Sequence, residues 1–287
     1  MSEKRLPKIG TCSWKYDSWI GLLYNRQDKS NYLKAYAENF RTVEIDQWFW
    51  SLYPNRPIKL PDKHVVEAYA SSVPDDFTFT VKAPNCLTLT HYYSRDKTGP
   101  LIKNPYFLSD EVLQQFLERL APMGSKLGPV MFQFEYLNKK KMPEQQRFMD
   151  LLDAFFNRAP KGLQYAVEIR NPNYLNPLYF EFIRSRKVGH VFSEGYYMPH
   201  IPKVYNKYRN YIWDYTVMRL LGPDRKEIEK RTGNRWHEIV TARDEELDTI
   251  AQMIESLILS GVEVIVNVNN HFEGSAPKTA RRLLARL

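Results

Sequence analysis

The sequence predicts a single TIM-type (β/α)8 barrel, with parallel strands inside and helices outside. The first observation is length, since one such barrel takes about 250 residues and this chain has 287. The second is a series of about eight short apolar runs, each followed by a helical or loop stretch, which is typical of a parallel sheet. The third is that no Gly/Ser linker divides the chain, so we expect one domain over residues 1–287.

The predicted strands are short and rich in β-branched and aromatic residues, as buried strands are. In chain order they cover residues 8–12, 42–46, 77–82, 130–135, 164–170, 188–193, 215–220 and 262–269. Between them, apolar residues three and four positions apart predict helices over residues 111–120 and 246–259. A further helix is predicted to begin at Pro143, because the fixed φ of proline suits a first helical turn.

Residues 83–109 and 194–214 form two connections that are longer than a barrel requires. The second is dense in aromatic residues and cations, a composition that argues against disorder. These residues are Tyr196, Tyr197, Lys203, Tyr205, Lys207, Tyr208, Arg209, Tyr211 and Trp213. Two interpretations are open: the side chains form the wall of a binding site, or the aromatic rings pack over the barrel.

The overall charge favours anionic partners without identifying one. The chain has 41 Lys and Arg against 33 Asp and Glu, a net charge of +8, which fits a solvated basic surface or contact with nucleic acid. Cys12 and Cys86 form neither a disulfide framework nor a CxxC metal pair. The N-terminus lacks an apolar signal region and no apolar run reaches membrane-spanning length, so we expect a cytoplasmic protein without a membrane partner.

Several predicted strands alternate apolar and polar residues, although strands buried on both faces are normally apolar throughout. A period of two places the polar residues on one face of each strand. If the apolar faces meet the helices, the polar faces point into the barrel, close to the C-terminal strand ends where such barrels place their chemistry. This inward set contains Thr42, Glu44, Asp46, Thr78, Thr80, Lys82, Gln133, Glu135, Glu168, Arg170, Asn267 and Asn269.

Two interpretations of the inward charges are open. In one, Glu44 and Glu168 are a general acid and base, and nearby cations bind an anionic substrate. In the other, the charges pair with one another and only hold the strands in register. No HxH or HExxH spacing supports a metal site, and without a GxGxxG or GxxxxGK[ST] motif the cofactor is unknown. The candidate substrate-binding residues are Lys82, His91, Gln133, Arg170, Arg219 and Asn269.

Seven segments, spread almost from end to end, form a recognisable pattern. They are IGTCSWKY at 9–16, FRTVEID at 40–46, FTFTVKAP at 77–84, MFQF at 131–134, AVEIRNP at 166–172, VMRL at 217–220 and NNHFEGSAP at 269–277. In these segments the chain resembles the YecE-like family, also called domain of unknown function 72. The resemblance implies a β/α barrel but no particular reaction. It puts seven residues at matching positions: Glu44, Lys82, Gln133, Glu168, Arg170, Arg219 and Asn269.

The chain departs from the usual family pattern at three strand ends. Cys12-Ser13 stands in place of Ser-Gly, Glu135-Tyr136 in place of prolines, and DQWFW at 46–50 in place of Asn-Ser-Thr-Phe-Tyr. We therefore expect an enzyme, such as a hydrolase or isomerase, whose substrate is not inherited from a relative. That substrate is expected to be small and polar or anionic, either sugar-like or phosphorylated. The alternative is a non-catalytic protein that binds nucleic acid or another ligand through the basic, tyrosine-rich residues 194–214.

Overall fold

The computed structural model describes residues 6–93, 99–195 and 197–287. Eight strands pair in parallel in chain order, and β8 pairs with β1 to close the barrel. All eight predicted strands are confirmed, with ends that differ by at most three residues. The strands are β1 (Lys8–Thr11), β2 (Thr42–Ile45), β3 (Thr78–Lys82), β4 (Leu127–Gln133), β5 (Tyr165–Glu168), β6 (Gly189–Gly195), β7 (Tyr215–Gly222) and β8 (Glu263–Val268).

Helices connect the strands and cover the outside of the barrel. Both helices predicted from periodicity are confirmed, but the helix predicted to begin at Pro143 begins at Gln145, because Glu144 is still extended. The helices are α1 (Tyr32–Ala37), α2 (Lys63–Ser71), α3 (Asp110–Leu120), α4 (Gln145–Arg158), α5 (Pro177–Ser185), α6 (Ile201–Tyr208), α7 (Arg225–Thr232), α8 (Asp244–Leu259) and α9 (Ala276–Leu284). Within the described residues, no helix combines the length and apolar character needed to cross a membrane.

Helix α3 shows how the local sequence fixes these outer elements. The Ser109 hydroxyl accepts a hydrogen bond from the backbone N–H of Val112, which satisfies one free donor of the first turn. Acidic residues occupy that first turn and Arg119 the last, so both ends suit the helix dipole. Phe116 and Leu120 lie on the apolar stripe and are fully buried in the core. Capping and amphipathicity therefore agree on one orientation of the helix.

The two faces of the strands separate as the alternation predicts. One face packs with the helices in a large apolar core that includes Val43, Phe132 and Val266. On the interior side, four residues of adjacent strands form a separate small apolar cluster: Met131, Ala166, Val191 and Val217. Two positions further along the same strands lie Gln133, Glu168, Ser193 and Arg219. The barrel interior thus has a polar layer at the C-terminal ends of these strands and an apolar layer two residues nearer their N-terminal ends.

The long connection over residues 194–214 has regular structure of its own. The segment contains helix α6 and a 3-10 turn (Arg209–Tyr211), because its apolar residues recur at helical spacing. Tyr205 packs against Phe192 and Tyr208 stacks on Phe180, so two of the tyrosines belong to the core. Tyr197 is fully exposed, and Tyr196 lies outside the described residues.

A tyrosine hydroxyl joins the first two strands of the barrel. β1 and β2 share a single register pair, Thr11 with Val43. The Tyr36 hydroxyl accepts a hydrogen bond from the Thr11 N–H at 2.9 Å and donates one to the Thr42 carbonyl at 3.0 Å. Gly10 leaves the space for this arrangement, since a Cβ there would lie 1.9 Å from the Thr42 oxygen. The side chain therefore completes a hydrogen-bond ladder that the strands leave short.

We expect Tyr36→Phe to lower the free energy of unfolding by about 2 kcal/mol, because it leaves the buried Thr11 N–H without an acceptor. Chemical denaturation measures this. Tyr205→Phe is the matched control, since its hydroxyl lies 2.8 Å from the Ser256 hydroxyl at a partly buried site and we expect a loss below about 1 kcal/mol. Equal losses in the two variants would show that Tyr36 has no special role in closing the barrel.

Candidate functional site

Arg219 lies at the centre of the polar layer. Its Nε and Nη2 donate to the two carboxylate oxygens of Glu44, each at 2.8 Å, and its Nη1 donates to Glu168 at 2.8 Å. Nη1 also donates to the Gln133 side-chain oxygen at 3.0 Å. Arg219 is only 4% exposed and both carboxylates are fully buried. One guanidinium therefore connects β2, β4, β5 and β7 across the interior.

Arg170 adds a second cation to this network. It follows β5 and forms an ion pair with the Glu168 oxygen Oε1, while Arg219 binds Oε2. Burial alone would raise the pKa of Glu168, but Arg170, Arg219 and Lys82 together lower it to about 2. Glu168 is therefore an anion throughout the physiological pH range. It can stabilise positive charge or accept a proton, but it cannot donate one at neutral pH.

Lys82 ends β3 and enters the same layer without a carboxylate partner. Among the described residues it forms no ion pair, and its Nζ lies 3.9 Å from the centre of the Phe49 ring. Burial and the charge of Arg219 lower the pKa of Lys82, and the negative charges of Glu44 and Glu168 only partly oppose this. The residue is only 7% exposed, so it is almost closed off from solvent. Lys82 is thus a buried cation whose charge its neighbours do not satisfy.

An open pocket of about 850 Å³ lies over one side of this network. Two of its lining residues, Gln133 and Arg170, also contact the buried charges. The remaining wall comes from the segments after β4, β5 and β6: Tyr136, Pro172, Asn173 and Tyr197. The pocket therefore opens onto the charged layer at the C-terminal face of the barrel.

The structure brings together six of the eight candidate residues and places the other two elsewhere. Glu44, Lys82, Gln133, Glu168, Arg170 and Arg219 form the cluster just described. The side-chain oxygen of Asn269 instead accepts a hydrogen bond from the His271 backbone N–H at 3.0 Å. The same oxygen lies 2.6 Å from Nδ1 of the His271 ring. His91 lies beside a separate pocket, with its Nδ1 2.9 Å from the Thr90 hydroxyl. Asn269 directly follows β8, whereas His91 lies well beyond the end of β3.

Two residues outside the candidate set help to build the layer. Asn267 donates to the Thr80 hydroxyl at 2.9 Å, and its own oxygen is buried without a hydrogen-bond partner in the described chain. The strand alternation points to Asn267, but its partner lies across the barrel. Phe49 covers Lys82 because Asn85 holds the segment that carries it: Asn85 N donates to the Phe49 carbonyl at 2.6 Å. No sequence pattern indicates this contact.

Cysteine and metal chemistry find little support at this site. Cys12 is buried and its thiol faces the Asn267 carbonyl at 3.5 Å. Burial and the Glu44 charge raise the pKa of the Cys12 thiol well above its usual value, so it stays protonated. In the described ranges, no group of three or more His, Cys, Asp or Glu side chains has an arrangement suited to holding a metal ion.

A family model, described as a protein of unknown function DUF72, matches residues 8–287. The chain belongs to this family. A DUF72 family protein from Thermotoga maritima is 21% identical, with a TM-score of 0.69 and 98% of each chain covered. One from Enterococcus faecalis is 20% identical, with a TM-score of 0.67, covering 98% of this chain and 95% of that one. These likenesses support the barrel fold, and no curated protein matches the chain.

The low pKa of Glu168 predicts how the stability of this DUF72 protein depends on pH. The folded pKa of about 2 lies below the usual 4.5, so the stabilisation is present above pH 4.5 and is lost as the pH falls toward 2. We expect Glu168→Gln to destabilise the protein by about 3 kcal/mol at pH 7, and we expect this difference to fall below half by pH 3 and to nearly vanish by pH 2. Urea unfolding at several pH values measures the difference.

The exposed glutamate of helix α3, changed as Glu118→Gln, is the matched control, because it loses the same charge outside the cluster. The free energy of unfolding of Glu118→Gln should stay close to that of the wild type at every pH. If the loss of stability in Glu168→Gln is the same at pH 7 and at pH 3, the role assigned to the charge pairs is wrong.

Proposed function

We propose that the protein is an enzyme that binds a small anionic compound, sugar-like or phosphorylated, at the C-terminal mouth of the barrel. The observation that supports this most directly is Lys82, a buried cation without a carboxylate partner among the described residues. An unpaired buried charge costs several kcal/mol. Such a cost is understandable where a ligand of opposite charge completes the pair.

The composition of the cluster supports an anion rather than a cation as the ligand. Arg219 and Arg170 are bound by Glu44 and Glu168, so these four charges balance. Lys82 adds a further positive charge to the layer, and the guanidinium of Arg170 lines the pocket. A phosphate or carboxylate at this position would meet the guanidinium in a paired, charge-assisted geometry, for which arginine is well suited. Gln133 offers an amide at the same wall of the pocket.

The same residues suggest how protons are handled. Glu168 is anionic at neutral pH because its pKa is about 2, so we assign it to stabilise positive charge developing in the substrate. Lys82 has a lowered pKa, which makes it a better proton donor than an exposed lysine. Glu44, held by both oxygens on Arg219, is the remaining candidate for proton acceptance. This division of roles suits isomerisation or hydrolysis.

The alternative function, nucleic-acid binding through residues 194–214, has weaker support. Lys203 and Lys207 are exposed and available to phosphates. Tyr205 and Tyr208, however, are buried against the barrel and offer no face to a base. Stacking on aromatic rings contributes much of the affinity for single strands, and the two tyrosines beside these lysines on helix α6 cannot supply it.

We expect Lys82→Met to raise the free energy of unfolding by about 1 kcal/mol at pH 7, since it removes an unpaired buried charge. The same variant should lose the thermal stabilisation that inorganic phosphate gives to the wild type. Differential scanning calorimetry with and without phosphate measures both effects. Lys82→Arg, which keeps the charge, should retain the response to phosphate. An unchanged phosphate response in Lys82→Met would argue against anion binding at Lys82.

For catalysis, a panel of sugar phosphates assayed for phosphate release and for isomerisation by NMR tests the proposal. We expect Glu44→Gln and Glu168→Gln each to lower kcat/KM at least about 100-fold on any compound that the wild type converts. Glu118→Gln should leave the rate unchanged. Full activity in both correctly folded cluster variants would rule out the proposed roles of the carboxylates.

A further inference from the structure

A second cavity, of about 1120 Å³, lies on the same face of the barrel but shares no lining residue with the pocket over the charged layer. We call it the aromatic groove. It runs between the segment after β1, the segment after β2 and the start of α2. The side chains that define it are Lys15, Trp48, Trp50, Tyr53, Arg56 and Lys59.

The groove presents aromatic rings to solvent on a well-held backbone. Trp50 is 59% exposed and Tyr53 is 44% exposed, although such side chains are largely buried on average. Their segment is fixed by Asn85, whose side-chain oxygen accepts from the N–H groups of Ser51 and Leu52, each at 2.9 Å. The exposed rings are therefore held in place rather than carried on a free loop. Pre-ordered rings lose little entropy when they bind.

The floor of the groove is also aromatic. Trp48 stacks on Tyr69 with ring centres 6.0 Å apart. Trp14 packs edge-on against the same tyrosine, with ring centres 5.0 Å apart. Lys15 crosses this group, with its Nζ 5.0 Å from the Tyr69 ring centre and bonded to the Gln47 side-chain oxygen at 2.6 Å. Its ammonium is thus positioned by neutral groups.

The lining of the groove carries a net positive charge. Lys15, Arg56 and Lys59 form no ion pair with any described residue. Asp62 is the single carboxylate among the lining residues, and it already caps α2 by accepting from the His64 N–H at 2.9 Å. Three cations against one carboxylate in the same groove therefore favour an anionic partner.

We propose that the aromatic groove binds single-stranded nucleic acid, with bases stacked on Trp50 and Tyr53 and phosphates near Lys15, Arg56 and Lys59. Rings and cations together match a ligand that repeats planar bases and negative charges. Rings without charge would suit a neutral sugar, and charge without rings would suit a free phosphate. The proposal does not depend on the function assigned to the charged layer, since the two sites share no side chain.

Fluorescence anisotropy with a fluorescein-labelled dT8 strand and the full-length chain, at 50 and 200 mM salt, tests the proposal. Trp50→Ala should weaken binding about tenfold or more, and Trp50→Phe should recover much of the affinity, because stacking needs a ring. Arg56→Ala with Lys59→Ala should also weaken binding about tenfold. That double variant should make the slope of log affinity against log salt shallower by about 1.4, since each phosphate contact on a single strand contributes about 0.7.

Two double variants with the same change in net charge are the controls. Lys139→Ala with Lys140→Ala removes two exposed cations outside the groove, and Lys203→Ala with Lys207→Ala does so on α6. Both should bind dT8 as the wild type does. The proposal is overturned if the wild type does not bind dT8 at 50 mM salt, or if all three double variants weaken binding equally. It is also overturned if Trp50→Ala binds normally, or if loss of affinity follows the α6 lysines instead.

Discussion

The interior of this barrel depends on the contacts of one guanidinium. Arg219 binds Glu44 through two hydrogen bonds and Glu168 through a third, all at 2.8 Å in a fully buried setting. Removing one partner from such a group leaves an uncompensated charge and typically costs about 3–5 kcal/mol. An apolar layer of similar volume would fill the space without that risk. The charges therefore call for an explanation beyond stability, which a binding or catalytic role would supply.

The pairing also decides which charges face a ligand. Because Arg219 and Arg170 together balance Glu44 and Glu168, the positive charge that remains in this set belongs to Lys82. The apolar cluster of Met131, Ala166, Val191 and Val217 closes the interior below this layer. The pocket that Gln133 and Arg170 line opens on the opposite side of the layer from this cluster, at the C-terminal end. The same end carries the functional residues in other barrels of this type.

The segment after β2 links the two proposed sites. Phe49 covers the Lys82 ammonium on the inner side, and the next residue, Trp50, is exposed in the aromatic groove. Asn85, from the segment after β3, holds this backbone through hydrogen bonds to Phe49, Ser51 and Leu52. Here the chain departs from the usual family pattern, with Trp-Phe-Trp at 48–50. A ligand specificity particular to this chain is therefore expected at this segment.

The sequence by itself determined the strands and the inward choice of Glu44, Lys82 and Glu168, because a strand alternates its faces every two residues and needs no partner to do so. Pairing was decided only in three dimensions, since Arg219 and Glu44 are 175 positions apart and meet only when the barrel closes. The contact between Asn269 and His271 depends on the geometry of the loop after β8, which no sequence period predicts. The packing that buries Tyr208 was settled in the same way. Local patterns fix which face a residue occupies, and closure of the barrel fixes what it meets there.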